Sequence, residues 1–160
     1  MYTMQSWLSN TLACNLFSMT FTGLNIVGVI VAFGFSFVSG AIWFGPKTFY
    51  PIWMKERGIA SGQLNANQNK PVLLFGGTIL GIIAQTLTVA LVITSLQHAG
   101  TEVSIAAGAG IGLALGLGIG AFASLSHRLF GGETLKVWII ETANDVINVT
   151  VAGAIIAFFN

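Results

Sequence analysis

The chain has 160 residues, of which 54% are hydrophobic and only 7% are charged, whereas an ordinary soluble domain carries roughly 25% charged residues. This composition excludes a soluble globular domain and predicts a helical membrane protein of one domain, because the sequence lacks the alternating segments of about 10 residues that build an outer-membrane barrel. The net charge of +1 argues against a nucleic-acid partner, which requires a concentrated basic face.

The first predicted element is an amphipathic helix over residues 1–21, a segment without charged side chains in which apolar residues recur at helical spacing. Because it lacks the Lys or Arg face of a lipid-surface helix, we expect it to pack against a neighbouring subunit, with a place in the outer membrane interface as the alternative. Cys14, the single cysteine, is expected to act as a small apolar residue; pairing with a second copy is the alternative.

Four apolar runs are long enough to cross a bilayer as helices, which takes about 20 residues. They cover about residues 22–44, 71–96, 103–126 and 135–159, and residues 45–70 form a loop between the first two. The predicted fold is therefore an all-α, integral membrane four-helix bundle with an additional N-terminal helix. All six basic residues lie in or beside the first and third connections, so the positive-inside rule places these connections in the cytoplasm and both termini outside.

The first span ends in a distinctive motif, Gly40-Ala41-Ile42-Trp43-Phe44-Gly45-Pro46, which is followed by Trp53-Met54. Because Gly-Pro breaks a helix, the aromatic residues after it predict a short element at the lipid headgroups. The motif resembles the family of small prokaryotic membrane proteins known as domain of unknown function 1761. This resemblance implies four spans and an acidic or amide residue early in the last helix, where Glu141 lies. We expect a multi-pass protein of the inner (plasma) membrane. It implies no activity.

Small residues mark the faces on which the middle spans are expected to pack. In the third span, glycines recur every four residues in a pattern typical of close helix packing: Gly108, Gly112, Gly116 and Gly120. We favour burial of this ladder inside one bundle over a seam between copies. The second span carries a face of small and polar residues, namely Gly77, Gly81, Gln85 and Thr88.

The fourth span carries two carboxylic acids inside an otherwise apolar run. Glu141 and Asp145 are four residues apart, so on a helix they share a face, on which Asn144 and Asn148 also lie. An acid at the centre of a span costs about 2.5–3.5 kcal/mol, whereas one interhelical hydrogen bond returns only about 0.6–2 kcal/mol. This difference favours a functional site over simple helix packing.

The two acids are expected at different depths below the cytoplasmic surface of the membrane. At a rise of about 1.5 Å per residue, Glu141 lies near enough to the cytoplasmic surface for Arg128 or Lys136 to reach it. Asp145 lies close to the midplane, beyond the reach of these cations and level with Gln85 of the second span. Two acids one turn apart in a dry site also resist being ionised together, so the site holds a proton, binds a cation or admits water.

Two functional hypotheses follow from this pattern. The first is a homo-oligomeric membrane protein that binds or conducts a proton, a cation or a small polar solute at a polar stripe: Glu141, Asn144, Asp145, Asn148 and Gln85. The second is a structural or accessory subunit of a larger membrane complex, without transport activity of its own.

An enzyme is not expected, because the sequence contains no arrangement of nucleophile and base and no metal-ligand cluster. His98 and His127 are predicted on opposite sides of the membrane and so have no common site. The sequence therefore predicts no catalytic residue, no metal site and no cofactor.

Overall fold

A computed structural model describes residues 22–58 and 71–160 of the chain; the predicted helix over residues 1–21 and the loop residues 59–70 lie outside the described residues. Within these ranges every regular element is helical: α1 (Ile26–Trp43), α2 (Tyr50–Glu56), α3 (Pro71–His98), α4 (Ile105–Leu115), a π-helical turn (Gly116–Ala121), α5 (Phe122–Phe130) and α6 (Leu135–Phe159).

Four helical rods are long and apolar enough to cross a membrane: α1, α3, the continuous rod α4–π–α5 and α6. They confirm the predicted all-α, four-helix membrane bundle. The short helix α2 follows the Gly45-Pro46 break, and the Thr48 hydroxyl lies within hydrogen-bonding distance of the carbonyl oxygens of Ile42 (2.5 Å) and Trp43 (2.7 Å). This turn directs the chain from the end of α1 into α2.

Side-chain caps define where three of the helices begin. Each cap accepts hydrogen bonds from backbone N–H groups of the first turn, which otherwise have no partner: Asn25 for α1, Ser104 for α4 and Thr134 for α6.

Helix α6 lies at the centre of the bundle and packs against α1, α3 and α4. The Asn25 amide donates to the carbonyl oxygen of Phe159 (2.7 Å), and the Trp43 indole donates to that of Ile140 (3.0 Å). These two bonds join opposite ends of the helices, so α1 runs antiparallel to α6. The apolar core lies along α6 and is formed by residues such as Ala32, Val89, Ile93, Val149 and Ile156.

The third span differs from the uninterrupted helix that the sequence predicts at residues 103–126. It continues to Phe130 and contains the π-helical turn Gly116–Ala121. The carbonyl oxygen of Ala121 accepts hydrogen bonds from the indole N–H of Trp138 (3.2 Å) and the hydroxyl of Ser124 (2.8 Å). Side-chain donors therefore satisfy a backbone group that the change of helix geometry displaces.

We call the end of the bundle where α1 ends and α6 begins the basic end. All five of the described Lys and Arg residues lie there: Lys47, Lys55, Arg57, Arg128 and Lys136.

Candidate functional site

The polar residues of α6 lie in three different surroundings. Glu141 contacts α2 and α5 at the basic end, Asp145 faces a cavity beside α3, and Asn144 and Asn148 are buried in the protein. The structure thus divides the predicted stripe, although all four residues lie on neighbouring faces of one helix.

Glu141 is held by two side chains from other elements. The indole N–H of Trp53 donates to its Oε1 (2.8 Å), and Arg128 Nη1 lies 2.9 Å from its Oε2. The Arg128 contact has the distance of an ion pair without the alignment of a hydrogen bond, so the enclosed Oε2 has no hydrogen-bond donor among the described residues. Glu141 thereby joins α2, α5 and α6. Arg128 is one of the two basic residues that the sequence predicts to be within reach of Glu141.

Two further ion pairs connect α2 and its C-terminal end to the start of α6. Arg57 Nη2 lies 2.6 Å from Glu133 Oε1, and Lys136 Nζ lies 2.8 Å from Glu56 Oε1. The Arg57 guanidinium also lies over the Trp53 ring, 5.0 Å from its centroid. We use the name α2 clasp for these two ion pairs, the Arg128–Glu141 ion pair and the Trp53–Glu141 hydrogen bond.

Asp145 lines a cavity of about 290 Å³ between α3, the π-helical turn and α6. Gln85 and Thr88 of α3 line the same cavity, as do Gly116 and Gly120 of the π-helical turn. Most of these residues, Asp145 included, are exposed, so the cavity is a groove that opens on the side of the bundle. We call it the Asp145 groove. The structure brings together Asp145 and Gln85 out of the five predicted binding residues.

The polar side chains that line the Asp145 groove offer oxygen atoms as ligands. The Thr88 hydroxyl donates to the carbonyl oxygen of Ala84 (2.8 Å), which leaves its lone pairs free to accept. Gln85 offers an amide oxygen, and Asp145 offers a carboxylate that takes part in none of the ion pairs of the described residues. Carboxylate, amide and hydroxyl oxygens are ligands for a hard cation, and the carboxylate also accepts a proton. Helical spacing puts Thr88 on the face of Gln85, but Thr88 is not among the five predicted binding residues.

Asn144 and Asn148 are 5% and 6% exposed, and the Oδ1 atom of each lacks a hydrogen-bond donor among the described residues. A Cβ atom on Gly40 of α1 would lie 3.8 Å from Asn144 Nδ2, so Asn144 lies close to α1. Because α1 and α6 are antiparallel, Ser36, which precedes Gly40 by one turn, is level with Asn148, which follows Asn144 by one turn. Ser36 is buried as well. Neither amide is among the residues that line the Asp145 groove.

Three of the four glycines of the ladder pack against α6 of the same chain. A Cβ atom on Gly108 would overlap the carbonyl oxygen of Gly153, and one on Gly112 would overlap that of Val149. A Cβ atom on Gly116 would lie 3.2 Å from the Cα atom of Val146. Gly120 differs, because a Cβ atom there would have no neighbour within 4 Å. Gly108, Gly112 and Gly116 therefore allow α4 and the start of the π-helical turn to approach α6, whereas Gly120 lies on the wall of the Asp145 groove.

No group of three or more His, Cys, Asp or Glu side chains that could hold a metal ion occurs in ranges 22–58 and 71–160. The family model described as "Protein of unknown function (DUF1761)" matches residues 27–157, and this match confirms the family that the sequence motif indicates. No curated protein and no solved structure matches the chain.

Proposed function

Since the chain belongs to the DUF1761 family, whose description assigns no activity, we propose a function from the geometry of this membrane protein itself: it binds a proton or a small monovalent cation at the Asp145 groove. The observation that carries the proposal is the convergence of Asp145, Gln85 and Thr88 on one cavity inside the membrane-spanning region, where no ion pair of the described residues neutralises the carboxylate.

Charge balance favours a monovalent ligand. An ionised carboxylate within a span is costly unless its charge is neutralised. One proton or one monovalent cation neutralises Asp145, whereas a divalent cation would leave a net positive charge beside the apolar side chains of Val89, Leu115 and Val149. Small polar solutes that carry one positive charge satisfy the same balance.

Transport of the bound ion across the membrane is the second part of the proposal. The ion pair of Glu141 and Arg128 lies one helical turn from Asp145 toward the basic end, while Val89 and Val149 border the groove within the core. Conduction therefore requires these contacts to rearrange, and we propose that a second copy or a conformational change completes the path.

The direct test compares wild-type protein with Asp145→Asn, which keeps the size of the side chain and removes its charge. In liposomes that contain a pH-sensitive dye, or in calorimetric titrations with NaCl and KCl at constant ionic strength, we expect flux or binding in the wild type and its loss in the variant. Glu102→Gln is the matched control, because this acid lies in the exposed connection at the opposite end of the bundle. Absence of both binding and flux in the wild type, or their persistence in Asp145→Asn, overturns the proposal.

A second candidate function is that of an accessory subunit in a larger membrane assembly. It is favoured by the face of α3 that carries Gly77 and Gly81, because a Cβ atom on either glycine would have no neighbour within 4 Å among the described residues. Small residues on an open face permit another transmembrane helix to approach closely. Gly112, by contrast, packs against α6 of the same chain and reports on folding.

This second function predicts co-purification or ordered self-assembly in mild detergent. Gly81→Leu should then disrupt the assembly while Asp145→Asn leaves it intact. Gly118→Leu is the matched control, because Gly118 also has open space around it but lies on the third span. Wild-type protein that purifies as a lone monomer, or equal effects of the two glycine variants, would contradict an assembly through α3.

A further inference from the structure

A second groove lies at the basic end, away from Asp145. It has a volume of about 380 Å³ and runs between α2 with its preceding turn and the first turns of α6. Apart from Lys136, its walls are formed by apolar side chains: Phe49, Ile52, Leu135, Ile139 and Ile140. Lys136 is occupied by its ion pair with Glu56. This groove is therefore an apolar surface at one of the two ends of the membrane-spanning helices.

The charges beside this groove do not balance. The three acidic residues of the basic end, Glu56, Glu133 and Glu141, are each paired with a basic residue. Lys47 and Lys55 are exposed and have no ion-pair partner in the part of the chain that the structure describes. Lys47 precedes the groove residue Phe49 by two positions, and Lys55 follows Ile52 by one helical turn. Two lysines without an ion-pair partner among the described residues thus lie within one helical turn, along the chain, of residues that line the groove.

From its surroundings we infer that this groove lies at the level of the lipid headgroups. Aromatic side chains cluster beside it: the Trp43 and Phe49 rings stack with centroids 4.3 Å apart, and those of Tyr50 and Trp53 with centroids 6.0 Å apart. Trp and Tyr are enriched at the membrane–water interface, where a polar edge meets water and a ring meets lipid. The positive-inside rule predicts that this end faces the cytoplasm, whose leaflet is rich in anionic lipids.

We propose that the groove between α2 and α6 binds one acyl chain of an anionic phospholipid, whose phosphate is held by Lys47 and Lys55. The apolar walls match an acyl chain, and the two ammonium groups match a headgroup with net negative charge. A zwitterionic phospholipid carries its own cation and gains less from these lysines. Free phosphate gains nothing from the apolar walls, so the combined chemistry points to a lipid.

Native mass spectrometry of the full chain, released from mild detergent that contains equal amounts of phosphatidylglycerol and phosphatidylcholine, tests this site. The wild type should retain phosphatidylglycerol in preference. Each lysine near a surface contributes an effect of about 5.4-fold, so Lys47→Gln with Lys55→Gln should weaken this retention roughly 30-fold. The matched control, Lys47→Arg with Lys55→Arg, preserves both charges and should retain the lipid.

A second variant tests the apolar part of the site. Ile139→Trp places a large ring in the groove and should reduce retention of the lipid while both lysines remain. Neither lysine takes part in an ion pair of the described residues, so the glutamine variants leave the α2 clasp in place. Equal retention of the two lipids by the wild type, or unchanged preference in the double glutamine variant or in Ile139→Trp, overturns the proposal. Displacement of the lipid by inorganic phosphate as effectively as by phosphatidylglycerol would show a phosphate site and would overturn it as well.

Discussion

Trp53 and Glu141 are 88 positions apart in the sequence, and their hydrogen bond joins α2 to α6. Trp53→Phe keeps an aromatic ring beside Tyr50 and removes the N–H donor. A hydrogen bond to a charged group contributes about 1.5–3 kcal/mol, so we expect the free energy of unfolding in detergent to fall by about that amount. Chemical denaturation followed by circular dichroism measures this change.

A double-mutant cycle provides the control for this prediction. In a Glu141→Gln background the same Trp53→Phe change should cost clearly less, because the charged acceptor has already been removed. Equal costs in the two backgrounds would contradict a contribution from the negative charge of Glu141 to this hydrogen bond.

At the scale of single residues, the sequence predicts on which side of its helix a side chain lies. It does not predict which residues of the other helices that side chain contacts. Helical periodicity puts Glu141 and Asp145 on one side of their helix, and depth along the helix indicates Arg128 as a partner of Glu141, the pair that the structure contains. Whether a face meets α1, α3 or α5 depends on how the helices assemble. For this reason Asn144 lies near Gly40 while Asp145, the next residue, faces Gln85.

The close approach of α4 and α6 gives a matched pair of glycine substitutions. Gly112→Ala places a methyl group on the carbonyl oxygen of Val149, which belongs to a rigid helix backbone, so we expect destabilisation by about 1–3 kcal/mol or more. Gly110→Ala adds the same group where no atom lies within 4 Å and should be neutral or stabilising by up to about 1 kcal/mol. Thermal or denaturant unfolding in detergent compares the two. Similar destabilisation by both variants would contradict the packing of Gly112 against α6.

At the scale of elements, hydropathy predicts the four spans because a bilayer requires about 20 apolar residues per helix. The Gly45-Pro46 break likewise predicts the short element that became α2. The π-helical turn is not predictable in this way, since Gly116–Ala121 is as apolar and as small as the α-helical segment before it. Its position depends on tertiary contacts, among them the bond from Trp138 to the Ala121 carbonyl oxygen. Gly120, within this turn, lies on the wall of the Asp145 groove and not at the close approach of the helices that its spacing predicts.

At the scale of the whole molecule, the two ends of the bundle differ in how they are held. The α2 clasp, which contains all three ion pairs of the described residues, lies at the basic end, whereas Asn25 joins α1 to α6 at the other end through a neutral hydrogen bond. The unpaired lysines add net positive charge to the basic end. Because positively charged segments resist translocation, this asymmetry predicts a single orientation in the membrane.

Cysteine labelling tests that orientation. In a Cys14→Ser background, Phe130→Cys places a thiol at the basic end, where residue 130 is 95% exposed, and Thr101→Cys places one in the exposed connection at the opposite end. A membrane-impermeant maleimide applied to intact cells should label Thr101→Cys and should label Phe130→Cys only after the membrane is permeabilised. The fully denatured variants, labelled in detergent, control for thiol reactivity. Labelling of Phe130→Cys in intact cells would reverse the predicted orientation, and the anionic lipid site would then face the outer leaflet.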